Sequence, residues 1–332
     1  MTLSTLLARW RSDPQVGPNL VEWRRLPGKK AQFEPYPSGV HPRLKEALEA
    51  YGIRSLYTHQ ASAFNCIKNG KNVVIVTGTA SGKTLCYNLP VLDHLLNDPD
   101  ATALYLFPTK ALSQDQFSVL KSLLSQISTS GESEGYQKNA PEAIKCAIYD
   151  GDTPINVRSS LRSQARVILT NPDMLHMGIL PHHTGWAQFF RGLRFVVIDE
   201  IHTYRGVFGS HVANVIRRLK RIANFYGATP QFILTSATIG NPDELGLRII
   251  NEPVILIDDD GAEKGEKHFL IYNPPIIDKS LGLRRSAIQA GVNLAEDLLA
   301  TNLQTIVFSR ARRTVEIILT YLRERSSGAN LD

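Results

Sequence analysis

The chain has 332 residues, of which 43% are hydrophobic and 20% charged, an ordinary balance for a globular protein with a large core. The length allows one large domain or two. The net charge of +6 is compatible with a nucleic-acid partner, and equally with a mildly basic enzyme. Three widely spaced cysteines form neither a CxxC pair nor an even disulfide set, which favours a reducing compartment. No stretch approaches the roughly 18 apolar residues of a membrane span, so we expect a cytoplasmic protein.

The chain begins with a segment that lacks a regular pattern of hydrophobic residues. Residues 1–44 contain "WRRLPGKKAQFEPYPSG", whose turn-forming residues predict an N-terminal extension. Seven short apolar runs then alternate with helical patterns, at 72–77, 103–107, 145–149, 166–170, 194–198, 231–235 and 253–257. Continuous apolar runs separated by helices indicate a parallel sheet covered on both faces. We therefore predict a doubly wound α/β domain over residues 45–257, with its ligand site at the carboxyl ends of the strands.

The remaining segments divide into loops, a linker and a second α/β pattern. The polar stretch at 128–142 predicts a mobile surface loop. Charge and glycine in "DDDGAEKGEK", which follows Ile257, predict a linker over residues 258–283. A helix at 284–300, a strand "TIVF" at 305–308 and a helix at 311–323 then begin a second domain over residues 284–332. One strand cannot close a sheet around its own core, so we expect this domain to be incomplete and the chain to be truncated.

The first apolar run ends in "TGTASGKT", residues 77–84, and a helical pattern follows. A glycine-containing turn that leads into a helix presents backbone N–H groups to a phosphate. In this pattern Lys83 reaches the β- and γ-phosphates and the Thr84 hydroxyl ligates magnesium. The general pattern has glycine where Thr77 stands, and an ordinary glycine turn is the alternative. The residues predicted to bind the phosphates are Thr79, Ser81, Gly82, Lys83 and Thr84.

The run at 194–198 ends directly in Asp199 and Glu200. A carboxylate at the tip of a strand beside a phosphate-binding loop can hold magnesium, and the next residue can polarise the water that attacks the γ-phosphate. We therefore assign the metal to Asp199 and the water to Glu200. The alternative, a solvated acidic turn, is weakened by the phosphate-binding loop upstream.

Together these segments resemble superfamily 2 DEAD/DEAH-box helicases. "TGTASGKT", "DEIH" at 199–202 and "TSAT" at 235–238 look like motifs I, II and III. In the family's order, "YTHQ" (57–60) resembles the Q motif, "FPTKALSQDQ" (107–116) motif Ia, "TNPDML" (170–175) motif Ib and "TIVFSRAR" (305–312) motif IV. The resemblance implies a RecA-like fold for the sheet domain, followed by the start of a second RecA-like lobe.

The resemblance also implies roles for single residues. Gln60 would hydrogen-bond the adenine of ATP. His202 would take part in catalysis and couple ATP to Ser236 and Thr238, which transmit the nucleotide state. A packed or capping histidine, and polar residues that merely end a strand, remain the alternatives.

The predicted nucleic-acid contacts lie on strand-end loops, where hydroxyls, amides and helix N-termini can hold backbone phosphates. They are Thr109, Lys110, Gly151, Thr170, Asn171 and Asp173. Routine helix capping is the alternative for "TNPD", and a simple turn for the glycine. The basic "RRLKR" at 217–221 is better explained as the solvated face of a helix.

Within the superfamily, "GTASGKTLCYNLPVL" and "DEIHTYRGVFGSHVANVIRRLKR" resemble the MrfA-type mitomycin-repair DNA helicases. The resemblance implies a DNA repair enzyme that uses ATP and Mg²⁺ and translocates 3′ to 5′ on DNA. Those helicases carry a C-terminal four-cysteine domain and motifs V and VI, and this sequence contains neither. An RNA helicase, or a nucleotide-gated binding module without hydrolysis, stays open as an alternative.

Overall fold

The structure is a computed structural model that describes residues 2–129 and 144–325. The predicted loop at 128–142 lies outside these residues except for its first two positions. The chain forms two compact units. The larger unit is Lys30–Lys264, and the smaller unit joins the described residues of 1–29 to those of 265–332. The domain boundaries predicted at residues 44, 257 and 283 stay predictions.

The secondary structure follows in chain order. The strands are β1 (Leu20–Leu26), β2 (Phe33–Glu34), β3 (Leu56–Tyr57), β4 (Val73–Val76), β5 (Thr102–Leu106), β6 (Cys146–Ile148), β7 (Val167–Thr170), β8 (Leu193–Ile198), β9 (Gln231–Ser236), β10 (Ile255–Ile257), β11 (Lys267–Tyr272), β12 (Ile276–Asp278) and β13 (Leu283–Arg284). The α-helices are α1 (Leu3–Ser12), α2 (Pro42–Ala50), α3 (Thr58–Lys68), α4 (Lys83–Asn97), α5 (Lys110–Thr129), α6 (Ile155–Gln164), α7 (Pro172–Met174), α8 (Ala187–Gly192), α9 (Gly206–Phe225), α10 (Pro242–Ile250), α11 (Ala287–Leu299) and α12 (Arg312–Arg325). Short 3₁₀ or π turns cover Gly17–Asn19, Leu175–Ile179, Leu180–Trp186 and Ile201–Thr203.

The larger unit is built on a seven-stranded sheet with the order β10-β4-β9-β8-β5-β7-β6. Every pair of neighbouring strands in it is parallel. All seven strands coincide with the predicted apolar runs, so the prediction of a doubly wound parallel sheet is confirmed. The strand that precedes Asp199, β8, lies at the centre of the sheet, and β9 separates it from β4.

Alternation along each strand sends side chains to two separate cores. Val73 and Ile75 of β4 lie in one core with residues of α2 to α5. Val74 and Val76 lie in the other core with residues of α8, α9 and α10. Because both faces are covered, the apolar runs could be continuous rather than alternating. Because both faces of the sheet are apolar and buried, polar functional side chains are expected at the ends of the strands.

The smaller unit pairs β1 with β11 in antiparallel register, and β12 with β13. Leu6, Leu7 and Trp10 of α1 form a small core with residues that include Leu294 and Leu298 of α11. The indole N–H of Trp10 donates a hydrogen bond to Asp297 at 2.7 Å. The sequence did not reveal β1 and β11, because their paired residues lie far apart along the chain, from Leu20 with Tyr272 to Leu26 with Lys267.

One predicted element of this unit is wrong. Residues 305–308 form no strand in the structure, and Phe308 is 89% exposed. Within the described residues no strand pairs with this segment, and a strand needs a partner for its backbone hydrogen bonds. The predicted helices at 284–300 and 311–323 are present as α11 and α12. Among the described residues, no helix is both long and apolar enough to cross a membrane.

Candidate nucleotide and nucleic-acid site

The phosphate-binding loop, residues 77–84, connects β4 to α4. Gly82 has a φ of +78°, and a Cβ there would lie 2.6 Å from Nε2 of Gln60, so this position favours glycine. Thr77 is not among the described residues with a positive φ, which explains why this sequence tolerates a threonine in place of glycine. The Thr77 and Ser81 hydroxyls lie 2.6 Å apart, and Ser81 donates to the Gly78 carbonyl at 2.8 Å. The loop is thus held by its own side chains.

Lys83 and Thr84 begin α4, and both side chains form hydrogen bonds within the chain. The Lys83 ammonium donates to the Thr77 carbonyl at 3.0 Å and lies 3.4 Å from that of Gly78. The Thr84 hydroxyl donates to Oε1 of Gln116 at 3.2 Å. Thr79 is exposed at the tip of the loop. The sequence did not single out Gln116, although it lies in the segment that resembles motif Ia.

The paired carboxylates follow β8 as predicted. Asp199 is 7% exposed, and the Thr235 hydroxyl donates to its Oδ1. Burial raises the pKa of Asp199, and the hydrogen bond from Thr235 offsets only part of that rise. Glu200 has a φ of +54°, a conformation rare for a residue with a side chain. Its N–H lies 3.0 Å from Oδ1 of Asp199 and 3.3 Å from the Thr235 hydroxyl.

His202 joins the two segments that resemble motifs II and III. Its Nδ1 accepts from the Ala237 N–H at 3.2 Å and lies 3.0 Å from Oε2 of Glu200. These two contacts compete for one nitrogen, because Nδ1 must be unprotonated for the first and protonated for an ion pair in the second. Ser236 is fully buried, and its hydroxyl has no hydrogen-bond partner within the described residues. Thr238 is exposed.

A cleft of about 950 Å³ opens beside the phosphate-binding loop, and its lining includes Phe33, Tyr57, Gln60, Gly82 and Thr84. The Phe33 and Tyr57 rings stack with centroids 5.1 Å apart, and Phe33 is 58% exposed. Gln60 accepts from the Tyr57 N–H at 2.9 Å and donates to the Gly82 carbonyl at 3.1 Å. The predicted adenine-binding glutamine is therefore tied to the phosphate-binding loop, and an exposed aromatic ring that the sequence did not reveal lies beside it.

The predicted nucleic-acid residues fall into two groups. Thr109 caps α5 by accepting from the Leu112 N–H at 3.3 Å. Lys110 forms an ion pair with Asp152 at 2.6 Å in which both side chains are half-exposed or more. Gly151 lies next to this lysine, since a Cβ there would be 3.9 Å from its Nζ. This group is exposed, and its one lysine is paired with a carboxylate.

The second group follows β7. Thr170 is 1% exposed and donates its hydroxyl to the Tyr149 carbonyl at 2.6 Å, so its side chain is not accessible to a nucleic acid in this structure. Asn171 caps α7 by accepting from the Met174 N–H at 2.8 Å, the capping geometry that the sequence left open as an alternative. Asp173 is exposed in the first turn of that helix.

The sheet and its strand-end loops define a RecA-like domain of the P-loop nucleotide-binding class. The chain matches the DEAD/DEAH box helicase family over residues 57–245, and it belongs to that family. The predicted resemblance is confirmed.

Two related proteins and one solved structure are similar to most of the chain. The chain is 51% identical over 313 residues to the "Uncharacterized ATP-dependent helicase YprA" of Bacillus subtilis, covering 94% of this chain and 40% of that protein. It is 38% identical to the "ATP-dependent helicase HRQ1" of Saccharomyces cerevisiae over 97% of this chain and 29% of the relative. A crystal structure of the DUF1998 helicase MrfA bound to DNA and AMPPNP superposes with a TM-score of 0.89 and 49% identity, covering 98% of this chain and 43% of that one. The chain thus spans less than half the length of these relatives.

Proposed function

We propose that this chain carries the ATP-binding lobe, and the start of a second lobe, of a DNA helicase or translocase that couples Mg–ATP hydrolysis to movement on DNA. The observation that carries the proposal is the placement of Asp199 and Glu200 at the end of β8, which only β9 separates from β4 and its phosphate-binding loop. The relative MrfA, crystallised with DNA and AMPPNP, supports the choice of DNA over RNA. The resemblance to mitomycin-repair helicases extends the proposal to DNA repair.

Nucleotide binding would use groups that now bond to the protein itself. The triphosphate would draw Lys83 away from the loop carbonyls, because a charged acceptor is the stronger partner for an ammonium. The N–H groups of the loop and of the start of α4 would then hold the phosphates, with Thr79, Ser81 and Gly82 around them. Gln60 would read the adenine, and the exposed face of Phe33 offers the base an aromatic surface.

A magnesium ion fits the side chains present. The Asp199 carboxylate and the Thr84 hydroxyl supply the oxygen ligands that Mg²⁺ prefers. Burial raises the pKa of Asp199, so a cation beside it would stabilise the ionised carboxylate. When bound, the ion would neutralise charge on the phosphates.

Hydrolysis would depend on Glu200, which would orient and polarise the attacking water. His202 contacts both Glu200 and the backbone of Ala237, which supports its proposed role between the nucleotide and the segment containing Ser236 and Thr238. On the DNA side, Lys110 and the backbone around Gly151 would donate to phosphate oxygens, together with the Thr109 hydroxyl and the Asn171 side-chain amide. Asp173, in the first turn of α7, would contribute its backbone N–H, because its carboxylate cannot donate to a phosphate. We do not extend this role to the Thr170 side chain, because it is buried.

The experiment that tests the proposal is steady-state ATP hydrolysis by the full-length protein with single-stranded DNA, RNA or no polymer, at fixed salt because phosphate contacts are salt-sensitive. We expect stimulation by DNA alone, and its loss in Lys83→Ala and Glu200→Gln. Stimulation by RNA alone would favour an RNA helicase, and ATP binding without hydrolysis would favour a nucleotide-gated binding module. Lobe closure completes such sites, so residues 1–332 alone should be nearly inactive.

A further inference from the structure

The segment of residues 258–264, called the strap here, follows β10 and was predicted to be part of a linker. It contains three consecutive aspartates, of which Asp258 and Asp259 are exposed and Asp260 is only 6% exposed. The strap ends at Lys264, where the chain leaves the larger unit. A single buried carboxylate in such a segment requires partners.

Asp260 binds the start of the phosphate-binding loop. Its Oδ2 accepts from the Gly78 N–H at 3.1 Å and pairs with the Lys264 ammonium at 3.0 Å. Its Oδ1 accepts from the Ala262 N–H at 3.0 Å. Burial raises the pKa of Asp260, but the hydrogen bonds from Ala262, Lys264 and Gly78 outweigh it and leave the pKa below its usual value. The carboxylate is therefore ionised at neutral pH.

His59 binds the other end of the same loop. It is 1% exposed, and its Nε2 lies 3.0 Å from the Ser81 carbonyl, to which it donates. Its Nδ1 accepts from the Gly261 N–H at 3.2 Å. A Cβ on Gly261 would lie 2.2 Å from the Thr58 hydroxyl, so the strap backbone approaches α3 more closely than any other residue would allow. His59 thus joins the loop to the strap through one neutral imidazole.

The residue between these two contacts is strained. Ala80 has a φ of +59°, a conformation that costs free energy in a residue with a Cβ and persists only where its surroundings hold it. Asp260 holds Gly78 on one side of it, and His59 holds Ser81 on the other. Lys83 lies over the same short segment, on the Thr77 and Gly78 carbonyls.

We infer that Asp260 and His59 are positioning residues that hold the phosphate-binding loop in its resting conformation, and that nucleotide phosphates entering the loop release the strap. The inference rests on the proposed nucleotide-binding function. A ligand that binds the rearranged loop better than the resting one shifts the equilibrium towards it, and by reciprocity, a loosened strap favours the ligand. Because the strap is the segment by which the chain leaves the larger unit, its release gives the nucleotide state a path along the backbone.

The test measures amide hydrogen exchange of peptides covering residues 258–264 in the full-length protein, with and without AMPPNP. We expect AMPPNP to speed exchange in the wild type and in Asp258→Asn, the matched control with an exposed neighbouring carboxylate. In Asp260→Asn exchange should be fast already, and AMPPNP should bind about fivefold more tightly. His59→Gln provides a second variant should Asp260→Asn fail to fold.

Three outcomes overturn the inference. Unchanged exchange of residues 258–264 when AMPPNP is bound would make the contacts purely structural. Weaker AMPPNP binding in both Asp260→Asn and His59→Gln would mean that the two residues preorganise the loop for nucleotide instead. If the wild type does not bind AMPPNP, both the proposed function and the inference are wrong. If it binds AMPPNP without a change in exchange, only the inference is wrong.

Discussion

The Thr235 hydroxyl donates to Oδ1 of Asp199, across the neighbouring strands β9 and β8. Thr235 is completely buried, and its oxygen also lies 3.3 Å from the Glu200 N–H. One hydroxyl therefore fixes the carboxylate proposed to hold the metal and the backbone of the residue proposed to orient water. The unusual φ of Glu200 makes the second contact important, because a rare backbone conformation needs support from its surroundings.

Replacing Thr235 by valine should keep the shape of the side chain and remove both contacts. We expect kcat for DNA-stimulated ATP hydrolysis to fall roughly 10-fold to 100-fold, because small errors in the position of a catalytic group are that costly. The free energy of unfolding should fall by about 1–3 kcal/mol, since buried partners are left unsatisfied. Thr235→Ser should restore most of the turnover.

Thr102→Val is the matched control for this change. Thr102 is also buried and donates its hydroxyl to the Phe189 carbonyl at 2.7 Å, but it begins β5 and so lies at the opposite edge of the parallel sheet. It should lower stability without lowering kcat in the folded protein. Equal losses of kcat in both variants would show that Thr235 acts through stability alone.

The sequence predicted the sheet well because each of its strands is a continuous apolar run between helical patterns. The sequence-based prediction was wrong or incomplete where a strand depends on a partner strand distant in sequence. The strand β1 was missed because its partner β11 lies about 245 positions along the chain, as the hydrogen bond between Trp23 and His268 illustrates. The predicted strand at 305–308 was wrong for the converse reason, since an apolar pattern forms no strand without a neighbour.

The candidate site shows the same division. Motif spacing located Lys83 at the start of a helix and Asp199 and Glu200 directly after a strand, where the structure has them, although their roles stay proposals. Thr235 and Asp260 were overlooked, because their importance comes from contacts with distant segments. Asp260 and Gly78 are separated by 182 positions, and a run of three aspartates gives no local signal for which one is buried.

Separating binding from hydrolysis tests the role of Glu200. In the full-length protein, Glu200→Gln should reduce turnover by about 10²-fold to 10⁴-fold, the range of positioned general bases, and leave the Kd for ATP nearly unchanged. Lys83→Ala should instead weaken ATP binding, because the ammonium is proposed to contact the phosphates. Equilibrium binding of a fluorescent ATP analogue, together with single-turnover hydrolysis, distinguishes the two. Turnover that survives in Glu200→Gln would contradict the assignment.

The burial of His59 predicts a pH dependence of stability. Burial lowers the pKa of His59 below its ordinary value of 6.5, although Asp260 and the Ser81 carbonyl partly oppose the shift. Below about pH 6.5 the unfolded chain binds a proton that the folded chain does not, so the free energy of unfolding should fall as the pH decreases from there. Thermal unfolding of the wild type and of His59→Gln between pH 5 and 8 measures this.

The variant should show a weaker loss of stability on acidification. It should not show a flat profile, because burial also lowers the pKa values of His41 and His94. Identical slopes for wild type and variant would mean that His59 titrates equally in both states.

Phe33 should contribute to nucleotide affinity without contributing much to stability. Its ring stacks on Tyr57 and is 58% exposed at the cleft. Stacking of a base on an aromatic side chain is worth about 1–3 kcal/mol, so Phe33→Ala should raise the KM for ATP roughly fivefold or more, and Phe33→Tyr should not. Phe225→Ala, which removes an exposed ring from α9, is the control. A KM that stays unchanged in Phe33→Ala would exclude stacking on this face.

The ion pair between Lys110 and Asp152 should make DNA affinity respond in opposite directions to two changes. Both side chains are half-exposed or more, and exposed pairs contribute little to stability, so a DNA phosphate can replace Asp152 as the partner of Lys110 at small cost. Lys110→Ala should weaken binding of single-stranded DNA regardless of sequence and lower the slope of log Kd against log salt by about 1. Asp152→Asn should strengthen binding, because it frees the ammonium. Lys45→Ala, at an exposed site on α2, is the control and should change neither the Kd nor the salt slope. A loss of affinity in both Lys110→Ala and Asp152→Asn would mean that the ion pair, rather than the lysine alone, supports DNA binding.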